Sequence, residues 1–264
     1  MRFLSLLRCT VVAGSLLAAV AAHAQTVLER VSASGVVRVC IWPEYYGVTY
    51  RHARTQELGG VDIELSAQLA SDLKVRVEYV DSSFPALVGD LTADRCDVAM
   101  FAIGVTEQRA EKLRFTQSYL RSDIYGITTK SNQVIRQWAD IDKPGVLVAV
   151  QAGTFMEPVM EQRLKHAQLV RVKLPATRER ELVAGRVDVF MTDYPYSRRL
   201  LDNADWARLI TSPAPFSVIP YAYAVKPGDA KWLATVDDFV ARIKRDGRLE
   251  RAAGNHGLGP IVVR

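Results

Sequence analysis

Cysteine is scarce in this chain, with Cys9, Cys40 and Cys96 the only three in 264 residues. No C-x-x-C pair, H-E-x-x-H run or histidine cluster occurs, so a metal site has no basis and no cofactor is implied. His52, His166 and His256 stand far apart, as isolated surface residues do. Beyond the first two dozen residues no apolar run approaches the roughly 20 residues a membrane span needs. A basic stripe with interleaved aromatics is missing as well, which argues against nucleic acid as a partner.

What is present begins with a leader. Arg2 and Arg8 flank a basic start, Thr10 to Ala22 is almost wholly apolar, and Ala22-His23-Ala24 places small residues ahead of Gln25. That pattern is a secretory signal peptide over 1–24, and its apolar stretch is short for an uncleaved anchor. Without Arg2 and Arg8 the remainder carries 32 basic and 29 acidic side chains, a mild and scattered net +3. The exported protein is expected in the periplasm as a monomer. Cys40 and Cys96 remain, on or beside expected strands. Export permits a bridge, but the spacing gives it no support, and two buried thiols are expected.

The clearest internal signal is a repeat. Leu91 to Met100 reads L-T-A-D-R-C-D-V-A-M, and Leu182 to Met191 reads L-V-A-G-R-V-D-V-F-M. Each reads as a helix end, a tight basic turn and a short apolar strand. Around them, strand-like runs alternate with helical stripes. Leu65, Leu69 and Leu73 are spaced i, i+4, i+8, and Val75 to Val80 alternates as a strand. This alternation predicts an α/β fold of mainly parallel sheets flanked by helices. A second βαβ set over 123–219 lies inside the first. The last 45 residues hold one strong amphipathic helix, too little for a domain, and complete the first lobe. The expected organisation is lobe 1 over 25–122 and 220–264 and lobe 2 over 123–219, with two crossings that can act as a hinge.

Ligands of open α/β sheets sit beyond the carboxyl ends of the strands. After the first repeat strand come Phe101, Ala102, Gly104, Thr106 and Arg109; after the second comes Asp193. Thr106 can cap a helix, which puts Arg109 at its third position. Glutamate is favoured there, and a cation opposes the helix dipole. Two readings fit Arg109: a bidentate grip on a carboxylate, helped by free N–H groups at Gly104 and Val105, or a surface arginine paired with Glu111. Two readings also fit Asp193: an N-cap before Tyr194-Pro195, or a carboxylate that takes an ammonium across a cleft. Thr154 and Glu157 match a capping box, and a helix N-terminus opening at a cleft is also an anion site. Trp42, Tyr45 and Phe84 lie just beyond strand ends or at a helix start, where aromatics can wall a pocket.

These segments together resemble the bacterial extracellular solute-binding proteins of family 3, the periplasmic receptors of polar amino-acid ABC transporters. The resemblance is carried by Gly60-Val61-Asp62-Ile63-Glu64-Leu65, by Val105-Thr106-Glu107-Gln108-Arg109, by Val150-Gln151-Ala152-Gly153-Thr154 and by Gly185-Arg186-Val187-Asp188-Val189-Phe190. It implies a hinged, two-lobed type II periplasmic-binding-protein fold and an inner-membrane ABC permease as partner. By position, Arg109 would grip the ligand carboxylate with help from Thr154, Asp193 would take the ammonium, and Tyr45 and Phe84 would sandwich the side chain. Two departures stand out. Trp42 occupies the place of an acidic residue in receptors for cationic amino acids, and Phe101, Ala102 and Gly104 replace small hydroxyl residues. A ligand that is small and apolar, aromatic, or not an α-amino acid is therefore implied. The chain is also similar to periplasmic cyclohexadienyl dehydratases, which use a cleft glutamate as general acid. Ile219-Pro220-Tyr221, in the matching segment, offers no carboxylate, so a binding protein without enzymatic activity is expected. A subunit that presents ligand to a membrane sensor is the third reading.

Overall fold

The computed structural model describes residues 25–264, so the expected leader lies outside the described residues. The chain opens with α1 (Val27–Ser34), held by a capping box between Thr26 and Glu29 and ended by Gly35. Strand β1 (Val36–Ile41) follows, then a hairpin of β2 (Tyr50–Arg51) and β3 (Leu58–Gly59). Helix α2 (Val61–Asp72) starts directly from Gly60. Here φ is +126°, and a Cβ would sit 2.3 Å from the Val48 carbonyl oxygen, so only glycine fits. Next come β4 (Arg76–Asp81), α3 (Leu87–Thr92), β5 (Val98–Gly104), α4 (Glu107–Lys112), β6 (Arg114–Phe115) and β7 (Leu120–Ser122). The chain then crosses to β8 (Tyr125–Thr129), β9 (Leu147–Gln151), α5 (Met156–Arg163), β10 (Gln168–Val172), α6 (Arg178–Val183), β11 (Val189–Thr192), α7 (Tyr194–Asn203) and β12 (Ala207–Ile210). It crosses back through β13 (Ile219–Val225) to α8 (Ala230–Arg245) and α9 (Arg248–Asn255).

Two large sheets result. One has the order β4-β1-β5-β13-β6, with β7 also on β13; the other has the order β10-β9-β11-β8-β12. In each, a single strand runs against all the rest: β13 in the first and β8 in the second. Those two strands are the ones that receive the chain after a crossing. The expected two-lobed, mainly parallel α/β architecture is therefore present. The crossings are stitched together by Asp123, whose carboxylate accepts the N–H groups of Phe216 (2.9 Å) and Ser217 (2.7 Å).

The centre of the first sheet is β5, with all seven residues buried, as a parallel strand covered on both faces requires. Helix α8 turns Trp232, Val236, Phe239, Val240 and Ile243 inward. The Trp232 indole N–H finds its partner in the Asp97 carbonyl at 2.7 Å. Two expectations need correction. Cys40 and Cys96 are joined in a disulfide rather than standing as free thiols. Their separation of 56 residues hides that β1 and β5 are neighbours in the sheet, which brings the two Cα atoms to 5.5 Å. Thr154 and Glu157 do not form a capping box. Gly153 turns the chain at φ +79° and α5 begins only at Met156. The Thr154 hydroxyl donates to the Gln151 carbonyl (2.7 Å), and Glu157 accepts the Gly153 N–H (2.8 Å).

Candidate functional site

The first lobe brings the ends of β1 and β5 to the cleft. β5 is kinked at Ala102, whose φ is +47°, and its register with β13 shifts between Ala222 and Ala224. A buried carboxylate holds the kink. Asp62, at the start of α2, accepts the Ala102 N–H (2.9 Å) and the hydroxyls of Tyr119 (2.5 Å) and Tyr223 (2.9 Å). Burial pushes the Asp62 carboxyl up to about 6, against the pull of those three donors.

Arg109 does not lie on the surface beside Glu111. Its backbone N–H is taken by the Thr106 hydroxyl at 3.3 Å, which caps α4, and its side chain is buried. The guanidinium donates to the Gly104 carbonyl (2.8 Å) and, across the cleft, to the Gly153 carbonyl (2.9 Å), while it covers the Phe84 ring at 5.3 Å. Burial brings its pKa down to about 10, against the opposing influence of Tyr221 and Tyr45. The expected free N–H at Val105 is not free, since it donates to the Pro220 carbonyl (3.0 Å). Gly104 is tightly covered. A Cβ there would meet Ile219 at 3.1 Å and Phe155 at 3.3 Å.

The second lobe answers with Asp193, at the carboxyl end of β11. One carboxylate oxygen caps α7 by accepting the Tyr196 N–H (3.1 Å). The other accepts two hydroxyls from the first lobe, those of Tyr45 and of Tyr221 (2.7 Å). Both readings of Asp193, cap and cleft carboxylate, thus describe one side chain. Burial raises its pKa, opposed by the tyrosine hydroxyls, the Tyr196 N–H and the nearby Arg178. The hydroxyls of Tyr45 and Tyr221 are held well above the usual phenol value by burial and by the Asp193 charge.

Six of the eight residues expected from the sequence line one nearly closed cleft, with a cavity volume of about 20 Å³: Trp42, Tyr45, Phe84, Ala102, Thr154 and Asp193. Arg109 stands behind Phe84 and reaches a neighbouring groove, and Gly104 enters through the carbonyl that Arg109 holds. Trp42 packs edge-on to Phe84 (5.3 Å) and parallel to Tyr196 (6.4 Å). Sequence reasoning missed Tyr196, Tyr221, Arg178, Thr192 and Phe155, all of which line the cleft. Tyr221 had a signal, since it sits beside the second crossing. Phe155 and Arg178 had none, because their direction depends on how α5 and α6 dock on the second sheet.

The profile of the bacterial extracellular solute-binding proteins, family 3, matches residues 37–257. A cyclohexadienyl dehydratase of Pseudomonas aeruginosa is 30% identical over 241 residues, covering 90% of this chain and 88% of that protein. An L-cystine-binding protein of Escherichia coli K12 is 26% identical over 194 residues, 74% of this chain and 72% of its own. Among solved structures, an ancestral amino acid-binding protein described as a precursor of cyclohexadienyl dehydratase superposes with a TM-score of 0.77. It is 26% identical and covers 87% of this chain and 98% of its own. These matches correct one expectation. A relative that is an enzyme aligns along nearly the whole chain, so the expectation that this protein lacks enzymatic activity does not stand. Ile219-Pro220-Tyr221 carries no carboxylate, but the cleft has a buried one in Asp193.

Proposed function

This chain belongs to the bacterial extracellular solute-binding proteins of family 3, and from that premise we propose that it captures a small carboxylate-bearing solute between its lobes. Arg109 takes the carboxylate, assisted by Thr154. Asp193 takes a donor on the solute, an ammonium or a hydroxyl, and Trp42, Tyr45 and Phe84 form the apolar walls. The observation that carries this reading is the set of three bonds that cross the cleft, one from Arg109 to Gly153 and one from each of two tyrosines to Asp193. A solute that replaces these contacts with its own biases closure, because only contacts that differ between open and closed forms can shift that balance. The moving bodies are residues 25–122 with 220–264, and 123–219. The leader directs the protein to the periplasm, where the closed form delivers its solute to an inner-membrane ABC permease.

The test is a thermal-shift screen of the purified protein against amino acids, amines and organic acids, followed by calorimetry on the hits. Arg109→Ala is expected to weaken binding of a hit at least tenfold, about 1.4 kcal/mol. Unchanged affinity rejects the role given to Arg109.

A second reading keeps the cleft and adds chemistry. Asp193 is a buried carboxyl whose pKa is raised by that burial, the direction in which a general acid is tuned. With a dehydratase aligned over 90% of the chain, incubation with prephenate or arogenate and detection of the dehydrated product decides for or against it.

A further inference from the structure

Besides Arg109, which borders the neighbouring groove, a buried guanidinium lines the cleft itself. Arg178, the first residue of α6, lines it beside Thr154, Phe155 and Asp193 and is only 4% exposed. Its guanidinium donates one hydrogen bond, from Nη1 to the Met191 carbonyl at 2.6 Å. It makes no ion pair among the described residues, although a buried cation is costly without one. It lies over the rings of Tyr196 (4.7 Å) and Phe190 (5.2 Å). Beside it, at the end of β11, the Thr192 hydroxyl is fully buried and has no hydrogen-bond partner. Buried hydroxyls of that kind are rare and call for an explanation.

The two arginines are set apart in a defined way. Arg109 covers Phe84, Phe84 packs on Trp42, Trp42 is parallel to Tyr196, and Tyr196 carries Arg178. Three rings in successive contact thus link the two cations, and the Asp193 carboxylate lines the same cleft as Arg178. Two guanidiniums and one carboxylate are complementary to a ligand with two acidic groups, an apolar segment between them and one hydrogen-bond donor.

We infer that the ligand of this cleft is a dicarboxylate whose second acid group is received by Arg178 and the Thr192 hydroxyl. The inference rests on the capture reading above and adds the class of solute. A planar guanidinium with uncommitted N–H groups, next to a free hydroxyl, can hold a carboxylate through charge-assisted bonds.

The experiment compares acids matched in length by calorimetry: L-glutamate with L-norvaline, L-2-aminoadipate with L-norleucine, and adipate with hexanoate. In at least one pair the diacid is expected to bind at least tenfold more tightly. Arg178→Gln should remove most of that margin and change affinity for the monoacid less than threefold. Thr192→Val should narrow the margin severalfold. An arginine that merely ties α6 to β11 would weaken both members of a pair alike. The inference is overturned if no diacid outbinds its partner, or if Arg178→Gln leaves the margin intact. Should Arg178→Gln fail to fold, an intact margin in Thr192→Val overturns it. Failure of the capture reading looks different: binding that survives Arg109→Ala removes that reading, whereas monoacid binding lost in Arg109→Ala with no diacid margin removes only this one.

Discussion

Two buried aspartates have nearly the same donors and opposite consequences. Asp62 accepts two tyrosine hydroxyls and the N–H of Ala102; Asp193 accepts two tyrosine hydroxyls and the N–H of Tyr196. Both carboxyls are pushed up by burial and pulled back by those donors. The difference is where the donors come from. Tyr119, Tyr223 and Ala102 all belong to the body built on the first sheet, so water reaches Asp62 only if that body opens. Tyr45 and Tyr221 belong to that body while Asp193 belongs to the other. Parting of the lobes, as proposed for capture, would let water replace them. A carboxylate between two phenols is a staple inside a lobe and a latch between lobes.

The largest expected effect tests the staple. Asp62→Ala leaves three buried donors without their acceptor, each worth about 1–3 kcal/mol when orphaned. The Ala102 N–H also reaches the Tyr119 oxygen (3.1 Å), which gives partial relief. A loss of roughly 3–5 kcal/mol in urea unfolding is expected. A pH series sharpens this. The folded Asp62 carboxyl titrates near 6, above its ordinary value of 3.8. Its proton is held more tightly in the folded state, so its contribution is complete below about pH 4 and is lost as pH rises through 6. The stability of wild type relative to Asp62→Asn should fall across that window and level off above it. A flat difference would mean that Asp62 does not titrate there.

Asp193→Ala should behave in the opposite manner. Its folding cost is that of a lost helix cap, about 1 kcal/mol. Its binding cost is larger, since the solute loses its charged partner; affinity for an ammonium-bearing hit should drop by at least about tenfold, or 1.4 kcal/mol. If unfolding suffers as much as in Asp62→Ala and binding does not, the two aspartates are both staples and the latch is lost as an idea.

Much of this contrast was legible in the sequence, and the reasons differ by residue. The repeated strand ends placed Arg109 and Asp193 at corresponding edges because strand direction fixes where a sheet presents its loops. Asp62 was visible only as part of a helix start, since its partners lie 57 and 161 residues away. The disulfide was hidden for the same reason: spacing along the chain carries no strand order. Thr154 misled because a capping box assumes that the helix begins beside it, whereas the chain turns at Gly153 and α5 begins only at Met156, with Gly153 close against Pro85 of the first lobe. A Cβ on Gly153 would sit 2.8 Å from Pro85 Cγ and 3.0 Å from its nitrogen. Gly153→Ala should therefore hinder closure, beyond a folding cost of about 1–2 kcal/mol that its φ of +79° imposes on any L side chain. Small-angle scattering should lose the compaction that a bound hit produces in the wild type, with affinity down severalfold. Unaltered compaction would mean that the lobes meet differently.

The smallest effect separates staple from latch at the level of single hydroxyls. Tyr223→Phe removes a buried donor to a carboxylate and is expected to cost about 1.5–3 kcal/mol of stability. Tyr45→Phe removes the same group from the latch. The open form hydrates Asp193 in either case, so unfolding should shift by less than about 0.5 kcal/mol. The sign of its binding effect is also informative. A solute donor must displace Tyr45 from Asp193 before it can bind there, so deleting the competing hydroxyl should leave affinity for an ammonium-bearing hit equal or raise it a few-fold. A clear loss of affinity in Tyr45→Phe would mean that the hydroxyl itself contacts the solute, and that Asp193 receives the ligand and the tyrosine together rather than one in place of the other.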